Sequence, residues 1–333
     1  VIPSINASGK AFAIVQRPSS SWAPVTGKDC TPSVVGLRVN DKEVIPRLFV
    51  VKETLDELPQ EEALSNAEKF KVFALTDHKK TLQALVDKAT TLSVALGPSV
   101  ASVIPPLVEH LPLRPEGRRP CLYACENDHD AVEGLRKELE GRVDVVSCMV
   151  DRICTGRTIT PDWIEMGTEP SPGEIVVITP PPGAPLPPFK GENVQIPLIH
   201  AEAEYFCRRK ILMVNGMHTT LAFMTLCKRE PAGLAGDSWK SHILLTPATV
   251  SEEEVELIWL WAVARLMYIA WEHEPSVIKA AHGVEGDEEL CSILLAYART
   301  TLSRFNGVED KAGRVLGGGV ANRYQGRLKM IQA

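Results

Sequence analysis

The chain has 333 residues, of which 44% are hydrophobic and 23% charged, and a net charge of −6. That is the make-up of a globular protein with length for two domains and a real core. The acidic balance gives no electrostatic reason to expect nucleic acid or an anionic membrane as the main partner. No apolar run approaches the roughly 18 to 20 residues that span a bilayer, and the stretch 257–270 is interrupted by Arg265. In chain order, short β-rich runs at 11–16, Val34–Val39, 48–52 and Lys71–Leu75 predict strands, with a polar loop over 17–31. Residues 81–150 alternate β and α. A strand is expected at 89–97 with Pro98 opening a helix, then a strand at 120–125, a helix at 130–140 and a strand at 142–146. Alternation of this kind implies a parallel sheet. The proline-dense stretch 179–188 cannot join a helix or an inner strand and reads as an extended connector towards a domain boundary. Beyond it, 199–228, 251–272 and 288–305 predict long helices, and Ser251 followed by three glutamates has the form of a capping box. The stripe Trp259, Trp261, Met267, Tyr268 and Trp271 reads as helix-packing core. Eight cysteines form no CxxC pair or disulfide framework, which favours a reducing compartment, cytosol or organelle matrix. The first residue is Val, and no transit peptide can be read.

The chemistry concentrates at Arg208-Arg209-Lys210, followed by Asn215, Gly216 and His218 among apolar neighbours. A buried lysine is costly, because desolvation disfavours its charged form. Chains seldom keep one unless it acts as a base or nucleophile. On an ideal helix His218 lies about 60° from Asn215 and about 80° from Lys210, so all three can share one cleft wall, with Gly216 giving the backbone room. The alternative is that Lys210 snorkels from a helix edge while Asn215 and His218 satisfy local backbone groups. A metal needs closely grouped Cys or His ligands. Cys207, His218 and His200 are not spaced that way, so no metal is expected.

Lys210-x4-Asn215-x2-His218 resembles the signature of the polyol-specific long-chain dehydrogenases, which include mannitol dehydrogenases and mannitol-1-phosphate 5-dehydrogenases. Three further segments match in order: Thr90-Thr91 through Gly97-Pro98, Ala124-Cys125-Glu126-Asn127, and Met149-Val150-Asp151-Arg152-Ile153. A looser match covers Arg304-Phe305-Asn306 with Asp310 and Arg314, so the likeness runs from about residue 81 to 315. The resemblance implies an α/β fold, a Rossmann-like parallel-sheet domain over 1–195 followed by a mainly α-helical domain over 196–333. It implies Lys210 as general base, Asn127 and Asn215 as donors to the reacting oxygen, and His218 on a neighbouring hydroxyl. Asp151 would orient the site, and Arg314 and Arg323 would bind substrate. Strict counting puts Asn322 where the family often has a lysine, with Arg323 one further on. Thr91, Gly97, Pro98 and Asn127 would line the cofactor, NAD. Cys207 stands where some relatives carry a glutamate.

No GxGxxG turn occurs in the chain, and residues 1–16 resemble the family segment after the second strand. The opening β-α-β unit with its glycine turn is therefore expected before Val1, and further residues after Ala333. The expected activity is hydride transfer between NAD and a polyol or polyol phosphate of the mannitol 1-phosphate/fructose 6-phosphate type. The lack of the glycine turn, with insertion-like stretches at 17–31 and 41–70, supports a rival. In it the chain is an inactive relative serving as scaffold or assembly subunit with protein partners.

Overall fold

A computed structural model describes residues 1–26, 34–52, 71–126 and 129–329. Two compact units emerge: Val1–Thr168 with Gly173–Ile196, and Glu169–Pro172 with Pro197–Ala333.

The first unit holds two sheets. In one, β5 (Thr91–Val94), β6 (Cys121–Ala124) and β7 (Asp144–Asp151) run parallel, with Thr91 beside Cys121 and Cys121 beside Asp144. Strands β10 (Glu174–Val177), antiparallel to β7, and β11 (Val194–Gln195) complete the order β11-β10-β7-β6-β5. Helices cover the crossovers: Val100–Val103 and Pro105–Val108 between β5 and β6, and His129–Glu138 between β6 and β7. A strand buried on both faces carries a continuous apolar run rather than an alternating one. Accordingly all four residues of β6 are buried. Leu122 and Ala124 join Val100, Ile104 and Leu135 on one face, and Tyr123 joins Cys148 and Phe189 on the other. This is the expected Rossmann-like α/β sheet, with a helical region following it in the chain.

The second sheet goes beyond the expected strands. It has the order β1-β4-β3-β2-β9-β8, from β1 (Phe12–Gln16), β2 (Val34–Val39), β3 (Lys42–Lys52), β4 (Lys71–Leu75), β8 (Cys154–Ile159) and β9 (Trp163–Thr168). The stretch from 41, read as an insertion, begins with the eleven-residue strand β3. A two-residue turn joins it to β2, with Asn40 and Asp41 both at positive φ, 50° and 62°. Asn and Asp tolerate that conformation, which matches the twist of a hairpin. The supposed polar loop from 17 carries Trp22, 2% exposed and packed on Phe73 at 5.4 Å between ring centroids. Residues 27–33 and 53–70 lie outside the described residues.

The second unit is helical: His200–Lys210, Gly216–Arg229, Glu252–Glu272, Pro275–His282, Asp287–Asn306, Ala312–Val315 and Val320–Arg327 among the described residues. Ser251 forms the expected capping box, its Oγ accepting from the Glu254 N–H at 3.3 Å while Glu254 accepts from the Ser251 N–H at 3.0 Å. The aromatic stripe departs from expectation. Trp259 and Trp261 are half-buried, but Met267 and Trp271 are 69% and 79% exposed. Leu257 and Leu260 lie exposed on the same face of that helix, at the same three- and four-residue spacing.

Candidate active site

The predicted helix over 199–228 forms, but not as a uniform α-helix. Helix His200–Lys210 passes into a π turn at Ile211–Asn215, which gives way to helix Gly216–Arg229. A π turn replaces i→i+4 bonding by i→i+5, so ideal-helix angles between Lys210, Asn215 and His218 no longer apply across it. Such turns leave backbone groups that need outside partners. Arg265 supplies one: its Nη1 donates to the Leu212 carbonyl at 3.2 Å and its Nη2 to Thr220 Oγ1 at 3.1 Å. A Cβ built on Gly216 would lie 2.3 Å from Arg265 Nη1. Glycine at 216 thus makes room for a guanidinium.

Arg265 is fully buried, and among the described residues it has no carboxylate partner. Burial, with Arg327 adding to it, pushes its pKa down to about 10. Arg327 is likewise lowered to about 10, by burial and then by Arg323. Arg323, expected at the substrate, therefore belongs to a basic series, and its guanidinium packs on Gly318.

The three basic residues before the π turn have different surroundings. Arg208 makes a two-pronged bond to Glu272 at 2.6 Å on both arms. Arg209 lies over the Tyr297 and Phe206 rings at 4.2 and 4.8 Å. Lys210 ends its helix 4% exposed. Asn215 closes the π turn half-buried, and its side-chain amide makes no hydrogen bond among the described residues. His218 is held on two sides. Its Nε2 sits 3.0 Å from Asp310 Oδ2, and its ring lies on Phe305 at 4.9 Å. Asp310 also binds Arg314 through both carboxylate oxygens and accepts from the Lys311 N–H at 2.8 Å. Burial pushes the Asp310 carboxyl up, but bonds from Arg314 and His218 outweigh it and hold its pKa well below the usual range. Asp310 is the site residue to which the sequence assigned no role. Its i,i+4 spacing from Arg314 was the available signal.

In the first unit, the turn after β5 lies at the carboxyl end of the parallel strands, where open α/β sheets bind ligands. Gly97 has φ +59° and faces open space. The Leu96 and Gly97 N–H groups both donate to the Glu126 carboxylate, the latter at 2.9 Å. Glu126 in the Ala124-Cys125-Glu126 stretch is therefore a clamp on this turn. Pro98 sits within the 3₁₀ turn Gly97–Ser99. Thr91 opens β5, at the end of the strand away from Gly97, so the two do not lie together. Asp151 is buried at the end of β7. Asn127 lies outside the described residues. Among the described residues no three His, Cys, Asp or Glu side chains are grouped to share a metal ion.

A comparison with protein-family models finds no match, and a comparison with curated proteins finds none. Similar solved structures include Pseudomonas fluorescens mannitol 2-dehydrogenase in a ternary complex with NAD and D-mannitol. It is 14% identical with TM-score 0.44, over 75% of this chain and 56% of that one. The chain thus spans little more than half the length of that dehydrogenase. A ketopantoate reductase from Ralstonia eutropha JMP134 is 11% identical with TM-score 0.38, over 99% of this chain and 92% of that one. A 2-dehydropantoate 2-reductase from Geobacter metallireducens GS-15 is 12% identical with TM-score 0.38, over 95% and 94%.

Proposed function

We propose that this chain is an oxidoreductase transferring hydride between NAD and a sugar alcohol or its phosphate, with mannitol 1-phosphate and fructose 6-phosphate as the first pair to test. The observation that carries the reading is the buried Lys210 beside a π turn, followed by an uncommitted Asn215 amide and a His218 fixed by an ionised Asp310. The four ordered sequence motifs support it. Oxidising a secondary alcohol removes the hydroxyl proton while hydride leaves the same carbon. When bound, the nicotinamide supplies the hydride acceptor, and Gly97 and Pro98 are residues of the first unit that would hold it. In its deprotonated form Lys210 takes the hydroxyl proton at Nζ and passes it to solvent. Asn215 and Asn127 donate to the oxygen as negative charge develops on it. Asp310 holds His218 by one ring nitrogen, leaving the other for a neighbouring hydroxyl of the polyol. Asp151 orients the site. Arg314 and Arg323 attract a phosphorylated substrate, and the Arg265–Arg327–Arg323 series adds to the positive field there. A second reading, an inactive relative acting as an assembly subunit, is favoured by the exposed apolar stripe of Leu257, Leu260, Met267 and Trp271.

Alcohol-dependent NAD reduction decides between them, measured on the protein as it occurs in its source with mannitol and mannitol 1-phosphate. Lys210→Ala is expected to abolish turnover with the circular dichroism spectrum unchanged. Lys210→Arg should fail too, since a guanidinium does not deprotonate in the working range. A folded Lys210→Ala protein keeping most of its activity removes Lys210 from the mechanism. Silence of the unmodified protein towards NAD and every polyol sinks the oxidoreductase and leaves the assembly subunit.

A further inference from the structure

The amino-terminal end of the parallel strands carries a concave feature. Residues just ahead of β5, β6 and β7 line a half-open cleft with a volume of about 400 Å³, within the range of small-molecule sites. Its cations are Lys88, Arg114, Arg118, Arg119 and Arg142, against a single lining acid, Asp87. This concentration stands out in a chain whose net charge is −6. Asp87 is already engaged by His110 Nε2 at 2.6 Å. Arg119 is bound to the buried Asp144 at 3.1 Å, and Arg142 donates to the Leu111 carbonyl. The side chains of Lys88, Arg114 and Arg118 make no hydrogen bond or ion pair among the described residues.

The loop presenting the arginines is braced from several sides. The Arg114 N–H donates to the Gly141 carbonyl at 2.8 Å, and the Gly117 N–H to Asp144 Oδ2 at 2.9 Å. Arg119 Nε donates to the Arg114 carbonyl at 2.6 Å. Gly117 sits at φ +75°, and a Cβ there would lie 2.2 Å from the Pro182 carbonyl oxygen. The proline connector therefore has a place in the architecture: it closes one wall through Gly183 and Pro185, and Tyr123 Oη donates to the Pro185 carbonyl at 2.7 Å. The loop backbone is thus held in place before a ligand arrives, so binding energy goes only into ordering the arginine and lysine side chains.

Guanidinium groups match phosphate oxygens in two-pronged geometry, and lysine adds a point charge. We propose that this cleft binds a small molecule carrying a diphosphate or two separate phosphate groups, held by Arg114, Arg118 and Lys88. Strand β5 has four residues, about 13 Å of rise, so the site lies roughly that far from the Gly97 turn. A ligand here does not take part in chemistry at that turn.

Titration calorimetry of the full chain tests this with pyrophosphate, ADP, fructose 1,6-bisphosphate and inorganic phosphate as probes. Pyrophosphate is expected to bind at micromolar concentration and inorganic phosphate more weakly. Arg118→Ala should weaken pyrophosphate at least tenfold, and Arg114→Ala/Arg118→Ala should abolish it. Both positions are exposed, so the melting temperature should not change, and Lys137→Ala on the helix His129–Glu138 should bind as the unmodified protein does. Preference for ADP assigns the phosphates to a nucleotide, and preference for the bisphosphate assigns them to a sugar. No binding of pyrophosphate, ADP or the bisphosphate at millimolar concentration overturns the proposal. So does binding that the double variant leaves unchanged.

Discussion

Gly216 and Arg265 make a prediction whose sign reverses with the background. An alanine in place of a helical glycine ordinarily gains about 1 kcal/mol. Here its Cβ would meet Arg265 Nη1 at 2.3 Å and Cζ at 2.8 Å, both parts of a rigid plane rather than a flexible tip. The guanidinium is fully buried and has no solvent to retreat into. Displacing it breaks the bonds to the Leu212 carbonyl and Thr220 Oγ1, each worth about 1.5–3 kcal/mol for a charged donor. Gly216→Ala should therefore destabilise by about 2–5 kcal/mol once the helical gain is subtracted. Arg265→Met removes those bonds but also removes a buried charge. Its pKa falls from 12.5 to about 10, a penalty of about 3 kcal/mol at neutral pH, where both folded and unfolded forms are charged. The Met variant should therefore cost no more than about 3 kcal/mol relative to the parent. In that background Gly216→Ala should stabilise, by about 0.5–1 kcal/mol. Urea unfolding followed by tryptophan fluorescence gives all four corners of the cycle. An equal cost of Gly216→Ala in both backgrounds, or no cost in the parent, would refute the placement of the guanidinium against Gly216.

Asp310→Asn leaves His218 and Arg314 without their shared anion, and it should cost about 2–4 kcal/mol by the same unfolding assay. Loss of under half a kilocalorie would show that the carboxylate is not buried in that pairing. The His282 ring, which lies 2.8 Å from the Tyr205 hydroxyl, is pushed down to about 4 by burial and by Arg209. It is neutral in the folded protein, while the unfolded chain takes up its proton near pH 6.5. Stability should therefore be fully present above about pH 6.5 and fall as the pH drops towards 4. The loss attributable to this ring is about 2 kcal/mol, allowing for solvent screening of a partly buried group. His282→Gln should flatten that part of the pH profile, and an unchanged slope would show that another group titrates there.

The elements most legible in the sequence were those whose signals are local. Ser251 and Glu254 cap their helix through bonds that span three residues, and β6 lies in an apolar run bounded by Pro120 and Glu126. Alternating strands and helices implied the parallel sheet because a parallel pair needs a crossover between its strands. The hairpin at Asn40-Asp41 was written in the chain too, but as a turn signal at the start of what looked like an insertion. Long-range partners were not legible. β2 pairs in parallel with β9, and nothing in either segment names the other across more than a hundred residues.

For the site, residue types and spacing singled out Lys210, Asn215 and His218, because a basic group in an apolar run is conspicuous whatever the fold. The sequence alone also determines the clustering of arginines at 114, 118 and 119, and the stiffness of the prolines near 180. Only the tertiary structure made the helix a π turn at Ile211–Asn215, since local propensity has no term for a donor arriving from Arg265, fifty-three residues away. Only it turned Arg265 from an interruption in an apolar stretch into the group that fills the space at Gly216. It also set Asp310 behind His218, and placed the proline connector beside the arginines as one wall of an open cleft. These are meetings of residues far apart in the chain, governed by how helices and strands pack against one another.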